Sequence, residues 1–137
     1  MAIKINRLHH IALICSNYPV SLKFYTDVLG FTLYSEIFRK DRESYKADLT
    51  LNGDYLLELF SFPTPPERPS FPEAVGLRHM AFEVDDVEET RSSLIKLGIV
   101  CEEIRIDPIT MMKFFFIADP DGLPIEFYQS DRPRNLE

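Results

Sequence analysis

The sequence is poor in the features that mark membrane, exported and nucleic-acid-binding proteins. No apolar run approaches the about 18 residues that a membrane-spanning helix requires. The N-terminus lacks the order of basic, apolar and small residues found in an export signal. Basic residues are also scarce, because 15 Lys and Arg stand against 22 Asp and Glu, for a net charge of −7. This charge argues against nucleic acid or an anionic membrane as the main partner.

Cysteine is equally rare. The two residues, Cys15 and Cys101, lie in apolar runs typical of strands, so we interpret both as reduced and buried. Without an export signal, the cytoplasm is the expected location. The remaining composition, 45% hydrophobic and 27% charged over 137 residues, is typical of one soluble globular domain with a sizeable core.

The chain contains an internal repeat. The motif Leu-x-His-x-Ala occurs at residues 8–12 and again at residues 77–81, and the segment LELF at 57–60 returns as IEFY at 125–128. Three further landmarks keep an offset of 68 or 69 residues: Gly30 and Gly98, Gly53 and Gly122, Glu58 and Glu126. Because these marks keep both their order and their spacing, the sequence indicates a duplicated half.

Each half is predicted to fold as β-α-β-β-β. In the first half the helix is capped by Ser16 or Asn17 and ends before Gly30; in the second, Asp86 and Glu89 form a capping box. The predicted strands are 8–15, 31–38, 45–51 and 55–60, then 79–84, 101–106, 112–118 and 125–129. We therefore predict an α+β fold of two tandem βαβββ modules, with a cup-shaped, mostly antiparallel sheet and helices on its outer face.

The predicted organisation is a single domain over residues 1–137 with two modules. The first module spans 5–61 and the second 76–130, and a polar tail follows at 131–137. Between the modules, residues 62–75 contain five of the chain's ten prolines, so this connector is predicted to be stiff and extended.

Two histidines and two glutamates are the candidate site. Because side chains alternate along a strand, His10, Glu58, His79 and Glu126 are all predicted to project from the sheet face opposite the helices. A lone buried carboxylate is costly unless it is paired or bound to a metal. Two imidazoles and two carboxylates are a ligand set for a divalent metal. His9 is predicted to point the other way, as a structural residue or as a partner of a ligand.

The chain resembles the vicinal oxygen chelate superfamily, and in particular its small two-module, glyoxalase I-like bacterial members. The resemblance covers about residues 5 to 130 and rests on Leu-x-His-x-Ala at both positions, F-Y-x-x-V-L-G-F at 24–31 and D-P-D-G-x-x-I-E at 119–126. It implies paired βαβββ modules, a divalent metal in the cup, and a homodimer. The four ligand positions of that family fall on His10, Glu58, His79 and Glu126.

The resemblance also implies a chemistry, namely proton transfer next to a carbonyl of a small, oxygen-rich substrate. By resemblance Glu126 is the main catalytic base and Glu58 its counterpart. The metal could be Zn, Ni, Co, Mn or Fe, because mixed nitrogen and oxygen ligands do not choose among them. The glutathione-binding Arg and Asn of glyoxalase I fall on Ile14 and near Ser61 here, so a glutathione adduct is not assured.

Candidate substrate-binding residues are less clearly marked. Arg39, Arg42 and Lys46 form a local basic cluster that could hold a carboxylate or phosphate, although a solvated charged hairpin is the more common origin of such a cluster. Phe60 and Lys113 are further candidates, from an apolar wall and from the rim.

Three functions remain open from the sequence. A metal-dependent lyase or isomerase, of lactoylglutathione lyase type, is favoured because four ligands are present. A module that binds a small molecule or confers resistance without turnover is the alternative. An Fe(II) dioxygenase is a third, but it requires an open three-ligand site.

Overall fold

Each half of the chain folds into a four-stranded sheet with one main helix. The computed structural model describes residues 1–129. The chain divides into two units, one from Met1 to Glu67 and one that begins at Arg68. The predicted tandem βαβββ modules are confirmed, and their strands belong to two separate sheets.

The first module follows the predicted order with slightly shifted bounds. Its elements are β1 (Ile11–Cys15), α1 (Tyr18–Lys23), a π-helical turn (Phe24–Val28), β2 (Thr32–Arg39), a 3₁₀ turn (Lys40–Arg42), β3 (Ser44–Leu51) and β4 (Asp54–Ser61). The strand order is β1-β4-β3-β2, with β1 parallel to β4 and the other neighbours antiparallel.

The second module repeats this topology. Its elements are β5 (Met80–Val84), α2 (Val87–Lys96), β6 (Arg105–Ile106), β7 (Lys113–Ala118) and β8 (Pro124–Gln129). The strand order is β5-β8-β7-β6, again with one parallel pair, β5 and β8. The register repeats as well, because Ala12 lies opposite Glu58 and Ala81 lies opposite Glu126.

Both helices begin at the predicted caps. Of the two residues considered for α1, Asn17 is the cap, and its side-chain oxygen accepts a hydrogen bond from the backbone N–H of Val20 at 3.3 Å. Asp86 caps α2 by accepting from the N–H of Glu89 at 3.1 Å. These bonds satisfy amides that have no partner inside the helix. No helix within residues 1–129 is long and apolar enough to cross a membrane.

Alternation along the strands places the core as predicted. Leu57 and Leu59 are each 1% exposed, whereas Glu58 between them is half-buried on the other face. In the second module Ile125 and Phe127 are buried and Glu126 is half-buried. The glutamates therefore lie on the sheet face that does not carry the core.

One predicted strand is much shorter than expected. Only Arg105–Ile106 of the predicted strand 101–106 pairs with β7. Upstream, the side chain of Glu102 accepts the backbone N–H of Phe116 at 3.0 Å, a donor that a neighbouring strand would otherwise use. A side chain therefore replaces part of the ladder, which the pattern of apolar residues does not reveal.

The cysteines and one helix position need smaller corrections. Cys15 and Cys101 form no disulfide; Cys15 is buried, but Cys101 is only half-buried and lies outside any strand. Burial raises the pKa of the Cys101 thiol above its ordinary value, and the nearby Arg91 opposes this. In the sequence, Leu97 continues the helical spacing of the apolar residues Val87 and Leu94, but it is 57% exposed because it lies at the C-cap, beyond the last helical turn.

The connector contains neither helix nor strand. Residues 62–79 run between β4 and β5 without regular secondary structure, in agreement with their proline content. Arg68 fixes the end of this segment, since its guanidinium donates to the backbone carbonyls of Leu77 at 2.6 Å and Arg78 at 3.0 Å. The predicted tail at 131–137 lies outside the described residues.

Candidate functional site

The first module brings one predicted histidine and one predicted glutamate together. Nε2 of His10 lies 3.4 Å from Oε2 of Glu58. His10 directly precedes β1, two residues before Ala12, which is the cross-strand neighbour of Glu58. The side chains are 36% and 12% exposed, respectively, so the carboxylate is the more enclosed partner.

A polar network surrounds the Glu58 carboxylate. The hydroxyl of Tyr55 donates to Oε2 of Glu58 at 2.6 Å. Nζ of Lys46 lies 3.8 Å from the same oxygen and 2.9 Å from Oδ1 of Asp48. The hydroxyl of Ser35 donates to Oδ2 of Asp48 at 2.5 Å. Asp48 is the cross-strand neighbour of Glu58, so two carboxylates share this face with one ammonium group.

This network shifts two ionisation equilibria. Burial, followed by hydrogen bonds to Glu58 and Asp48, raises the pKa of Tyr55 far above its ordinary value. Burial alone would raise the pKa of Asp48, but hydrogen bonds from Ser35, Lys46 and Tyr55 outweigh it and lower that pKa. At neutral pH Tyr55 therefore keeps its proton and donates a hydrogen bond to Glu58, and Asp48 is charged.

His9 contacts the site, contrary to the predicted alternation. Its Nδ1 lies 2.8 Å from Nδ1 of His10, and its ring centroid is 5.3 Å from that of Tyr55. β1 begins at Ile11, so the backbone at residues 9 and 10 is not bound by the alternation of a strand. One of the two nitrogens must carry the proton, which couples the tautomers of the two rings.

The second module surrounds its pair differently. His79 directly precedes β5, and its ring meets that of Phe116 edge-on, with the centroids 5.1 Å apart. Phe116 on β7 is the cross-strand neighbour of Glu126 on β8. Nη1 of Arg78 lies 2.9 Å from Nδ1 of His79. Within residues 1–129, the side chain of Glu126 forms no hydrogen bond or ion pair.

The two halves of the repeat are therefore unequal. Asp48 lies across from Glu58, whereas Phe116 lies across from Glu126. Lys46 lies across from Phe60. In the second module Phe114 lies across from Tyr128, which is the repeat equivalent of Phe60. The first module holds its glutamate with polar groups, and the second places aromatic rings around it.

The candidate substrate-binding residues divide into two groups. Lys46 is part of the Glu58 network described above. Arg39 lies over Phe60, with its guanidinium carbon 4.8 Å from the ring centroid, and it also donates to the hydroxyl of Ser44 at 2.9 Å. These residues share the module with His10 and Glu58.

The other two lie apart from their module's His and Glu. Arg42 is exposed in the 3₁₀ turn after β2. Lys113 forms an ion pair with Glu88 of α2 at 2.7 Å. By strand alternation Lys113 shares a face with the buried Phe115, so it points to the helix side, away from Glu126.

A family comparison agrees with this architecture. A sequence model of the Glyoxalase/Bleomycin resistance protein/Dioxygenase superfamily matches residues 7–127. The chain belongs to this superfamily. The resemblance predicted from the histidine and glutamate motifs is thereby confirmed.

Individual members of the superfamily are similar over nearly the whole chain. The uncharacterized protein YaeR of Escherichia coli K12 is 56% identical over 125 residues, which is 91% of this chain and 97% of YaeR. The crystal structure of SMU.1112c is 46% identical with a TM-score of 0.85, and the match covers 91% and 99% of the two chains. A glyoxalase family protein from Enterococcus faecalis is 42% identical with a TM-score of 0.83, over 89% and 96%.

The sequence-based site was incomplete in both modules of this superfamily member. Tyr55 and Asp48 were missed in the first module, and Phe116 and Arg105 in the second. A signal for Asp48 was present, because pairing β3 with β4 through the Asn52–Gly53 turn places it across from Glu58. Arg105 gave no such signal, since its strand is only two residues long.

Proposed function

We propose that the protein is a metal-dependent lyase or isomerase that moves a proton next to a carbonyl of a small, oxygen-rich substrate. The observation that carries the proposal is the pairing of His10 with Glu58 at 3.4 Å. His79 and Glu126 occupy the equivalent positions of the repeat, because Ala81 lies opposite Glu126 as Ala12 lies opposite Glu58. The proposed ligand set consists of these four residues. Within residues 1–129 of the single chain no three His, Cys, Asp or Glu side chains form one metal-binding group, so the complete set requires a direct test.

The donor chemistry of the first module fits a divalent cation. An imidazole nitrogen and a carboxylate oxygen face each other, and both are ligands for Zn, Ni, Co, Mn or Fe. Lys46 lies closer to Asp48, at 2.9 Å, than to Glu58, at 3.8 Å. The ammonium group therefore mainly neutralises Asp48 and leaves charge on Glu58 for a cation. A bound divalent ion would supply polarisation of the substrate carbonyl.

The two glutamates are suited to different steps. Glu58 is fixed by the Tyr55 hydroxyl, whereas the side chain of Glu126 makes no hydrogen bond or ion pair within the described residues. A base must present an unoccupied carboxylate oxygen to the carbon acid. We therefore propose Glu126 as the main base, which removes the proton from the carbon and holds it, and Glu58 as its counterpart. The aromatic ring of Phe116 beside Glu126 limits the access of water to that carboxylate.

The proposal includes a cytoplasmic homodimer. Several large apolar or aromatic side chains of β2 are exposed, among them Tyr34 at 72% and Ile37 at 54%. An exposed group of this kind on a sheet favours a partner surface. Analytical ultracentrifugation of the purified protein tests the dimer, and a monomer at micromolar concentration would contradict it.

Metal binding is the first experimental test. The purified protein is analysed for bound metals, stripped with a chelator and titrated with Ni²⁺, Zn²⁺, Co²⁺ and Mn²⁺ by calorimetry and thermal denaturation. A bound ion should raise Tm, because it binds only the folded state. Glu126→Gln should weaken metal binding without unfolding the protein, whereas Glu83→Gln, at an exposed position of β5, should not. A protein that carries no divalent metal and cannot be loaded would end the proposal.

Activity assays separate the three functions. The metal-loaded protein is assayed with methylglyoxal and several thiols, and turnover that is lost in Glu126→Gln supports the lyase. Metabolite or antibiotic binding without turnover would instead favour a binding or resistance module; the superfamily description names a bleomycin resistance protein. Ring cleavage of catechol after anaerobic loading with Fe(II) would favour a dioxygenase.

A further inference from the structure

The second module contains a pocket that no sequence motif indicated. Its volume is about 360 Å³, and it lies between the connector and the strands β6 and β7. Phe116, Ile117 and Pro124 give it an apolar wall. Its charged lining residues are three arginines, Arg68, Arg78 and Arg105, and two glutamates, Glu73 and Glu102, so that positive groups outnumber negative ones in an otherwise acidic chain. A pocket of this size accommodates a small metabolite.

The three arginines differ in how many of their N–H donors already bind protein groups. Arg68 has a structural role, because it donates to Ser70 as well as to two backbone carbonyls. Arg78 donates through Nε to Glu73 at 2.6 Å and approaches His79 through Nη1. Within residues 1–129, its Nη2 has no protein partner. Arg78 can therefore still donate into the pocket.

Arg105 is also only partly occupied. Its Nε and Nη2 donate to Glu102 at 3.1 and 2.9 Å, which leaves Nη1 without a partner among the described residues. Its guanidinium carbon lies 4.8 Å from the ring centroid of Phe114 and 5.5 Å from that of Phe116. Contact with two rings restricts the movement of the guanidinium and reduces the entropy lost when an anion binds.

Phe116 connects the pocket to the proposed catalytic groups. Its ring contacts Arg105 on one side and His79 on another, at centroid distances of 5.5 and 5.1 Å. Phe116 is also the cross-strand neighbour of Glu126. Phe116 therefore links the pocket to His79 and Glu126, although neither of these two residues lines it.

We propose that this pocket binds an acidic group of the substrate, a carboxylate or a phosphate, through Arg105 and Arg78. The planar or apolar part of the molecule lies against Phe116. The inference rests on the proposed function in one respect, because only an enzyme makes the bound anion a substrate. Guanidinium groups bind such oxyanions through paired, charge-assisted hydrogen bonds. The substrate class is thus a small carbonyl compound that also carries an acidic group.

Anion binding can be measured without metal or turnover. The full-length, chelator-treated protein is titrated with benzoate and, separately, with inorganic phosphate, and binding is followed by calorimetry and ligand-observed NMR. Benzamide serves as the neutral analogue of benzoate. We expect benzoate or phosphate to bind and benzamide to bind at least about tenfold more weakly, because charge-assisted bonds are lost. The anion that binds more tightly identifies the acidic group.

Matched substitutions locate the site. Arg105→Met keeps the length and the apolar contact of the side chain but removes its charge, and it should weaken anion binding about tenfold. Arg105→Lys should bind the anion with an affinity between those of wild type and Arg105→Met, since it keeps the charge without the planar fork of donors. Arg78→Met provides a second, independent variant if Arg105→Met fails to fold. Lys96→Met removes one charge from the exposed end of α2, outside the pocket, and should bind as the wild type does.

Two outcomes would overturn the inference. One is a wild-type protein that binds neither anion at millimolar concentration. The other is equal anion binding by wild type and by folded Arg105→Met and Arg78→Met. Metal titration of the same variants separates this inference from the proposed function. An Arg105→Met variant that binds metal normally but not the anion supports the anion site. A wild-type protein that binds the anion but no metal refutes the proposed enzyme and leaves the anion site supported.

Discussion

Tyr55 donates its hydroxyl to Glu58 at 2.6 Å, three residues along the same strand. The repeat does not reproduce this bond, because Leu123 is the residue three before Glu126, and it is buried. Duplication thus supplied two glutamates, and later differences fixed one of them while leaving the other without a protein partner within residues 1–129. This difference is the physical basis for assigning the two carboxylates to different steps.

Tyr55→Phe should loosen the Glu58 carboxylate. It removes one hydrogen bond to a charged acceptor, so we expect the free energy of unfolding to fall by about 1 kcal/mol. The affinity for a divalent metal should fall about tenfold, because a partner of a ligand sets that ligand's orientation. Calorimetric metal titration and urea denaturation measure the two effects.

Tyr34→Phe is the matched control for this substitution. Tyr34 lies in the same module, its ring is 6.5 Å from that of Tyr55, and its side chain is 72% exposed. It should leave both the metal affinity and the stability unchanged. Equal metal affinities in Tyr55→Phe and wild type would show that Tyr55 does not position Glu58.

The sequence predicted the repeated architecture because the relevant signals are local. The caps Asn17 and Asp86, the turn at Asn52–Gly53 and the alternation around Glu58 are each readable over a few residues. Their offset of 68 or 69 residues then gave the duplication. The predicted pairing of His10 with Glu58 follows from this pattern together with the register of the parallel strands β1 and β4.

The remaining parts of the site depend on tertiary contacts. The strand predicted at 101–106 begins only at Arg105, because upstream the side chain of Glu102 takes the N–H of Phe116, and no local pattern distinguishes that glutamate from an exposed one. The guanidinium of Arg105 is placed by contacts with the rings of Phe114 and Phe116 together with hydrogen bonds to Glu102. Both arrangements depend on contacts with β7 that a local pattern does not reveal.

Gly53→Ala tests the hairpin that places Asp48 across from Glu58. Asn52 and Gly53 have φ values of 52° and 85°, the left-handed region that the two-residue turn requires. An added Cβ at Gly53 would meet no atom within 4 Å, so the cost is backbone strain alone. We expect a loss of about 1 kcal/mol in the free energy of unfolding.

The neighbouring Asp54→Ala is the comparison for the hairpin. Asp54 is exposed, and its replacement does not require a positive φ. Urea denaturation should show a clearly smaller change for Asp54→Ala than for Gly53→Ala. If both variants lose the same stability, the turn conformation at Gly53 is not the cause.

Leu57→Ala tests whether the core side of β4 stabilises the first module. Leu57 is 1% exposed, and removal of its side chain leaves a cavity, so we expect a loss of about 2–5 kcal/mol in the free energy of unfolding. Ile14→Ala, at a position 59% exposed on β1, should change stability by less than about 0.5 kcal/mol. Chemical denaturation followed by circular dichroism measures both. Similar losses in the two variants would contradict the assignment of the faces.

Asp107 should make the second module sensitive to acid. The backbone N–H of Ile109 donates to its carboxylate at 2.9 Å, and this bond lowers the pKa of Asp107. Desolvation opposes the shift, and hydrogen bonds from Tyr128 and Thr110 add to it. The folded-state pKa lies below the unfolded value of about 3.9. The ionised carboxylate therefore stabilises the fold at pH values above about 3.9, and this stabilisation is lost as the pH falls through the folded-state pKa. Asp107→Asn should therefore lower Tm at pH 7, with the difference from wild type shrinking below about pH 4. Asp41→Asn, in the exposed 3₁₀ turn of the first module, is the control for removing one negative charge. A Tm difference for Asp107→Asn that stays constant from pH 7 to pH 3 would show that its ionisation is not linked to folding.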